Sequence, residues 1–387
     1  MSEQGFLVIS DISGYSSYVR DSELEHARDS LGALLQILIE HNQSPFAIAK
    51  LEGDAVFSYA PANAFLQGQS LLEMMEGVYV AFRKALELMV LNTTCPCNAC
   101  RNLPNLDLKL FVHFGEYLVQ EMGTFRELLG NDVNLLHRLL KNKITEQSGL
   151  RAYAAYTQAV VDKLQLGVYC AEMITHNESF ADVGEVKLCV QDLHGIWERR
   201  RENARIEVKP EEAFYIFSHD FSIPAPQLWE YVTMPKTRAL FVGAISQTVQ
   251  KESVRSGEET VYVCVHGAGT SLHTVVDWRP FQQYTTHETL PLPNTAIYST
   301  YRLDPIDGGT RLTMLFGKPR GPLAFRKMAE FGLKKFMTED NLSRSVTALE
   351  DYIRTDLKEG RLAFMPSRPV DKSLLESAVA EKFGSQV

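Results

Sequence analysis

A chain of 387 residues with 45% hydrophobic and 22% charged residues is long enough for two separate cores and has the composition of a globular protein. Its 48 acidic and 39 basic residues leave a net charge of −9, which argues against nucleic acid or a broad anionic membrane surface as partner. The start, Met1-Ser-Glu-Gln-Gly5, lacks the basic and apolar regions of a leader, and no apolar run approaches the roughly 18 residues of a membrane span, so a cytoplasmic protein with reduced thiols is expected.

The first predicted element is a buried strand over Phe6-Leu-Val-Ile9, which delivers Asp11 just before the Ser13-Gly14 break. Ser22 to Asn42 reads as a helix capped by Ser22 with Glu25 three residues on, its apolar positions Leu24, Ala27, Leu31, Leu34, Leu35 and Leu38 recurring at three and four. Phe46 to Ala49 leads into Lys50-Leu-Glu-Gly-Asp54 and Ala55 to Tyr59 leaves it, so Gly53-Asp54 is a hairpin turn presenting a second carboxylate. A long helix follows from about Ala64 to Leu91. Cys95-Pro-Cys97-Asn-Ala-Cys100 then forms a loop insertion, where three thiols in six residues point to a structural Zn²⁺ whose fourth ligand is not evident nearby. An iron–sulfur cluster, free thiols and a disulfide are the other readings.

Leu106 to Gly115 alternates as a strand, with His113 read as structural. Gly130 opens a helix that buries Val133, Leu136 and Leu140 and places Asn134 and Arg138, four apart, on another face. Gly149 to Leu166 carries a strand and a helix, and Val183 to Val190 reads as the closing strand pair.

These motifs, Asp11 in Asp-Ile-Ser-Gly-Tyr15, Asp54 in Lys50-Leu-Glu-Gly-Asp54, and Asn134 and Arg138 in Gly130-Asn-Asp-Val-Asn-Leu-Leu-His-Arg138, resemble in type, order and spacing those of the class III nucleotidyl cyclases. The resemblance covers roughly residues 5 to 195, about half the chain, and implies a domain over residues 1–195. It implies a ferredoxin-like domain with a βαββαβ-type antiparallel sheet, and conversion of ATP to 3′,5′-cyclic AMP and pyrophosphate. It further implies two Mg²⁺ or Mn²⁺ ions held by Asp11, Asp54 and the Ile12 carbonyl. Asn134 would position ribose and Arg138 stabilise phosphate charge, while Lys50 and Glu127 would read adenine. In that family each site forms between two copies, which implies a homodimer. The chain departs from the pattern at Glu127, one methylene longer than the usual aspartate, in a short segment between Gly115 and Glu127, and at Val183, where a triphosphate-binding lysine is common; Lys187 and Lys109 are candidate substitutes.

Residues 196–210 are charged, lack an apolar stripe and read as a linker, with Arg199-Arg-Arg201 as a solvated face. Residues 211–360 begin with a strand and a Pro226 helix and continue as alternating runs that contain His266, His273 and His287. These are read as ordinary strand histidines ahead of a catalytic cluster. One long helix from about Leu323 to Leu357 closes the stretch. That order resembles the helix-grip, START-like (polyketide-cyclase-like) domains and implies a cavity for an apolar ligand; residues 361–387 form a loosely packed tail. The whole is therefore expected to be α+β: an ATP-using cyclase regulated by a START-like domain, or, in the alternative, a catalytically silent cyclase-like dimerisation module joined to a metabolite-binding domain.

Overall fold

The computed structural model describes residues 2–42, 44–92, 95, 97–122, 125–181, 183–202, 206–250, 254–266 and 269–365. They form two compact units, Met1–Asn203 with Ala363–Val387, and Ala204–Leu362. No helix among them is long and apolar enough to cross a membrane.

The first unit runs β1 (Glu3–Ser13), α1 (Tyr15–Arg20), α2 (Leu24–His41), β2 (Ala47–Glu52), β3 (Ala55–Pro61), α3 (Gly68–Asn92), α4 (Asn98–Asn102), β4 (Asp107–Met122), β5 (Phe125–Leu129), α5 (Asn131–Leu139), α6 (Ile144–Ser148), β6 (Tyr153–Thr157), α7 (Gln158–Lys163), α8 (Gly167–Cys170), β7 (Ile174–Phe180), β8 (Gly184–Asp192) and α9 (Leu193–Glu202). Its sheet has the order β2-β3-β1-β4-β6-β8-β7, with β5 paired to β4 outside that path. All pairs are antiparallel except β4 with β6. Phe6 to Ile9 are all fully buried because β1 is an inner strand covered on both faces, which explains the unbroken apolar run. Side chains alternate between faces along β1. Leu7 and Ile9 join Phe57, Phe111, Val133, Leu136 and Leu139 beneath α5. Phe6 points the other way to Phe65 and Phe114, and Ser10 accepts a hydrogen bond from Asn42, at the end of α2.

Five details differ from the sequence reading. Leu139, and not Leu140, completes the buried stripe of α5. The cap of α2 is Glu23 without a side-chain bond to its own helix; its carboxylate instead accepts from the Ala99 N–H, 2.9 Å away. The closing pair is β7 with β8, Val183 lying exposed in the turn between them. The first unit continues through α9, where Ile196 and Trp197 are buried and Arg200 of the basic run reaches the buried Glu76 at 2.8 Å. Past residue 362, Ala363 and Met365 hydrogen-bond to Asn63 and Pro45 and so belong to the first unit; the rest of the expected tail, 366–387, lies outside the described residues.

The second unit contains β9 (Ala213–Phe221), α10 (Ala225–Thr233), α11 (Pro235–Phe241), β10 (Ser246–Gln250), β11 (Val261–His266), β12 (Gly269–Arg279), β13 (Gln283–Thr289), β14 (Ala296–Ile306), β15 (Gly309–Gly317), α12 (Leu323–Phe336) and α13 (Glu339–Lys358). Its strands form one antiparallel sheet in the order β10-β11-β12-β13-β14-β15-β9. The expected single terminal helix is two helices. Thr338 takes an extended conformation and accepts from the Asn341 N–H, with Glu339 and Asp340 in the first turn, so the chain stops and restarts there. It is α13 that is anchored, through Val346, Leu349, Ile353 and Asp356, the last bonded to Tyr231.

A polar group is buried among the apolar core residues of this unit. Arg238 is fully buried beside Tyr262, Tyr284 and Tyr301 and contacts His273 Nδ1 at 3.3 Å; Glu288 accepts from Thr286 and Tyr301. The three strand histidines do not converge: His287 packs on Tyr298, while His266 stacks on His273. Burial pushes the His273 imidazole down to about 4, against the pull of Glu288. Between about pH 6.5 and 4 the unfolded chain binds a proton that the native chain refuses, so stability falls as the pH falls. Urea unfolding followed through Trp229 and Trp278 should show a loss of roughly 2 kcal/mol from this group between pH 7 and pH 5. His273→Gln should remove that share of the loss; an unchanged pH dependence in the variant would reject the assignment.

Candidate functional site

Asp11 and Asp54 rise from adjacent backbone. Asp11 faces Ala55 of β3 and Lys109 of β4 as register partners, and the Ile12 N–H donates to the Asp54 carbonyl at 3.1 Å. Gly53, with φ of 72°, supplies the left-handed residue that closes the hairpin carrying Asp54. Asp11 shares the face of Leu7 and Ile9, the face covered by α5. Burial pulls the Lys109 ammonium below the ordinary lysine range while the Asp11 carboxylate pulls it back, which places these two charges within electrostatic reach of one another. Two carboxylates at one strand end are hard oxygen donors suited to Mg²⁺ or Mn²⁺.

Asn134 and Arg138 occupy the opposite side of α5. At 100° per residue the buried Val133, Leu136 and Leu139 centre on one direction, and Asn134 and Arg138 centre roughly 180° from it, exposed. They line a groove of about 930 Å³ with His137, Lys141, Lys143 and residues 177–180 of β7. Helix α5 is held to the sheet by Asp132, which accepts from the Glu116 N–H at 2.7 Å and lies 3.2 Å from His113 Nε2 off the line of a hydrogen bond. His113 Nδ1 is 2.8 Å from the Thr157 hydroxyl, and burial lowers its pKa, as suits a structural histidine.

Lys50 and Glu127 meet. Lys50 Nζ lies 3.3 Å from Glu127 and 2.7 Å from Glu52, and Glu52 in turn lies 3.1 Å from His137 Nδ1. Burial acts to raise the Glu52 carboxyl, but His137 and Lys50 more than offset it and hold it below the usual range. Glu52 and His137 are the members of this group that sequence reasoning missed; Glu52 stands two residues from Lys50 on the same strand, a period-2 signal that was available. Lys187, itself exposed on the half-buried β8, is the register partner of Asn177 in the groove wall. Cys95, Cys97 and Cys100 gather around His26 of α2.

A family described as "Protein of unknown function (DUF2652)" matches residues 31–148, less than half of the chain. That span holds Lys50, Asp54, the three clustered cysteines, Glu127, Asn134 and Arg138. The "Uncharacterized protein Rv2561/Rv2562" of Mycobacterium tuberculosis is 33% identical over 149 residues, which make up 38% of this chain; the chain thus spans 66% of that relative's length. Solved structures similar to about half of the chain include adenylyl and guanylyl cyclases. A bacterial light-regulated adenylyl cyclase has 17% identity and a TM-score of 0.36 over 52% of this chain and 58% of its own. The guanylyl cyclase Cya2 has 15% identity and a TM-score of 0.37 over 49% and 92%. The adenylyl cyclase CyaB from P. aeruginosa has 15% identity and a TM-score of 0.33 over 50% and 96%.

The seating of α5 can be probed at Gly115, where a Cβ would lie 2.4 Å from the Asp132 carboxylate. Gly115→Ala should destabilise the first unit by about 1–3 kcal/mol in urea. Gly77→Ala, inside α3 with nothing within 4 Å of the new carbon, should be neutral or stabilise by up to about 1 kcal/mol. Equal effects at the two positions would contradict the packing described.

Proposed function

We propose that the first unit is a nucleotidyl cyclase acting on ATP as a homodimer, with Asp11 and Asp54 of one copy facing Asn134 and Arg138 of the other. The observation that carries this reading is the orientation of α5. Asp11 stands on the sheet face beneath the helix, whereas Asn134 and Arg138 point away from that face into solvent, so a second copy is the natural source of the groups that complete the site. In the reaction the ribose 3′-oxygen forms a bond to the α-phosphorus, the bond from that phosphorus to the bridging oxygen breaks, pyrophosphate leaves, and the hydroxyl proton passes to solvent. Divalent cations, when bound, would supply charge neutralisation at the attacking and leaving oxygens.

The chain's own residues have distinct roles in this reading. Asp11, Asp54 and the Ile12 carbonyl provide the oxygen ligands. Arg138 offers a planar donor fork to phosphate oxygens, and Asn134 orients the ribose. Lys50 donates to adenine N1 while Glu127 accepts from the 6-amino group, with Glu52 keeping the lysine in place once its contact with Glu127 opens to admit the base. The regulatory partner is a START-like second unit, whose buried Arg238 and Glu288 favour a polar ligand over an apolar one. Lys109 beside Asp11 and the exposed Val183 favour the second reading, a silent dimerisation module.

Complementation separates the two. Asp54→Ala and Arg138→Ala should each lower turnover by roughly a hundredfold or more while the fold persists. An equal mixture after subunit exchange should recover about one quarter of wild-type activity, because half of the dimers are mixed and each carries one intact site of two. Absence of recovery despite demonstrated exchange would contradict the shared site.

A further inference from the structure

We infer that His26, Cys95, Cys97 and Cys100 form a structural zinc site that pins the first turn of α2 to the loop preceding β4. This site is independent of the cyclase reading. The four donor atoms all lie within 4.8 Å of one another. His26 Nδ1 is 3.2 Å from Cys97 Sγ and 3.7 Å from Cys95 Sγ. A tetrahedral ion with Zn–S of about 2.3 Å and Zn–N of about 2.0 Å sets its ligands about 3.5 to 3.8 Å apart, which is the spacing this cluster approaches. Three thiolates and one imidazole form a closed structural ligand set with no place for substrate.

The surroundings are built for it. Cys97 caps α4 and its sulfur accepts from the Cys100 N–H at 3.4 Å, a bond that orients a thiolate for a metal. Glu23, three residues before His26, accepts from the Ala99 N–H and ties the same two segments together a second time. Tyr18 and Ala99 are buried beside them, so the loop is seated against α1 and α2. From there the chain turns through Leu103–Asn105 into β4, and the Asn105 carbonyl lies where a Cβ on Gly14 would come within 2.9 Å, directly after the strand end that bears Asp11. The ion would thus brace the segment that backs that strand end.

A second trio, Cys264, His266 and His273, makes a useful contrast. There the Arg238 guanidinium already contacts His273 at 3.3 Å and Cys264 at 3.8 Å, and a fixed cation at that distance opposes a metal ion. The charged neighbours of the His26 group are instead the carboxylates of Glu23 and Asp29, which favour a cation there.

The test uses the full chain, expressed with zinc in the medium and purified without chelators. Elemental analysis should give one zinc per chain, and replacement by Co²⁺ should give thiolate-to-metal charge-transfer bands together with the intense visible bands of a tetrahedral ion. His26→Ala should weaken Co²⁺ affinity at least tenfold and alter those visible bands. His26→Cys should keep one metal per chain and shift them to a four-thiolate pattern, which shows that the fold survives at this position. A wild-type chain that holds neither zinc nor cobalt would overturn the inference, as would iron in place of zinc or a disulfide mapped among the three cysteines. So would His26→Ala protein with wild-type affinity and spectrum, which would remove His26 from the ligand set.

Discussion

The first unit depends on the burial of β1 between β3 and β4 in continuous register. Phe6 to Ile9 are sealed on both faces, so the strand cannot slip by one residue without exchanging its two cores. That constraint carries Asp11 to the strand end on the α5 side and holds the Asp54 turn against Ile12 through a backbone hydrogen bond. The placement of the two aspartates is therefore a consequence of hydrophobic packing several residues away. A one-residue error in register would send Asp11 to the face of α2 and dismantle the site.

A second layer of polar contacts fixes the helix opposite. Asp132 joins the N-terminal turn of α5 to β4 through the Glu116 N–H and lies against His113, while Gly115 has no side chain because the carboxylate fills that volume. Glu52 links Lys50 to His137 and so ties the β2 hairpin to α5. Apart from the buried His113, these are partly exposed groups, each contact worth little alone, and their value lies in orientation more than in stability. They tie Lys50 and Glu127 to the helix that bears Asn134 and Arg138.

Much of this was legible in the sequence, for reasons that can be stated. The apolar run at Phe6, the Gly53-Asp54 turn and the stripe of α5 are local signals, and the structure places a strand, a hairpin and a helix there. What escaped was non-local or lay in competition between local signals. His26 joins thiols 71 residues away in sequence, a distance that no spacing rule spans. Ser22 looked like a cap, but the neighbouring Glu23 takes the cap position and gives its carboxylate to Ala99. The break at Thr338 was written in Thr338-Glu339-Asp340, a helix start hidden inside an amphipathic pattern that reads through it. Arg238, fully buried among three tyrosines, has no sequence signature, because its partners come from four separate strands and only the sheet assembles them.

The central claim is cyclisation of a nucleoside triphosphate. It is tested most directly by incubating the purified chain with ATP, GTP, CTP and UTP in turn, with Mn²⁺, and identifying products by mass spectrometry. The account predicts 3′,5′-cyclic AMP and pyrophosphate in equal amounts, with ATP preferred over GTP by roughly tenfold or more because Lys50 and Glu127 would each meet the wrong partner on guanine. No cyclic product from any triphosphate, from protein shown to be folded and dimeric, would contradict it.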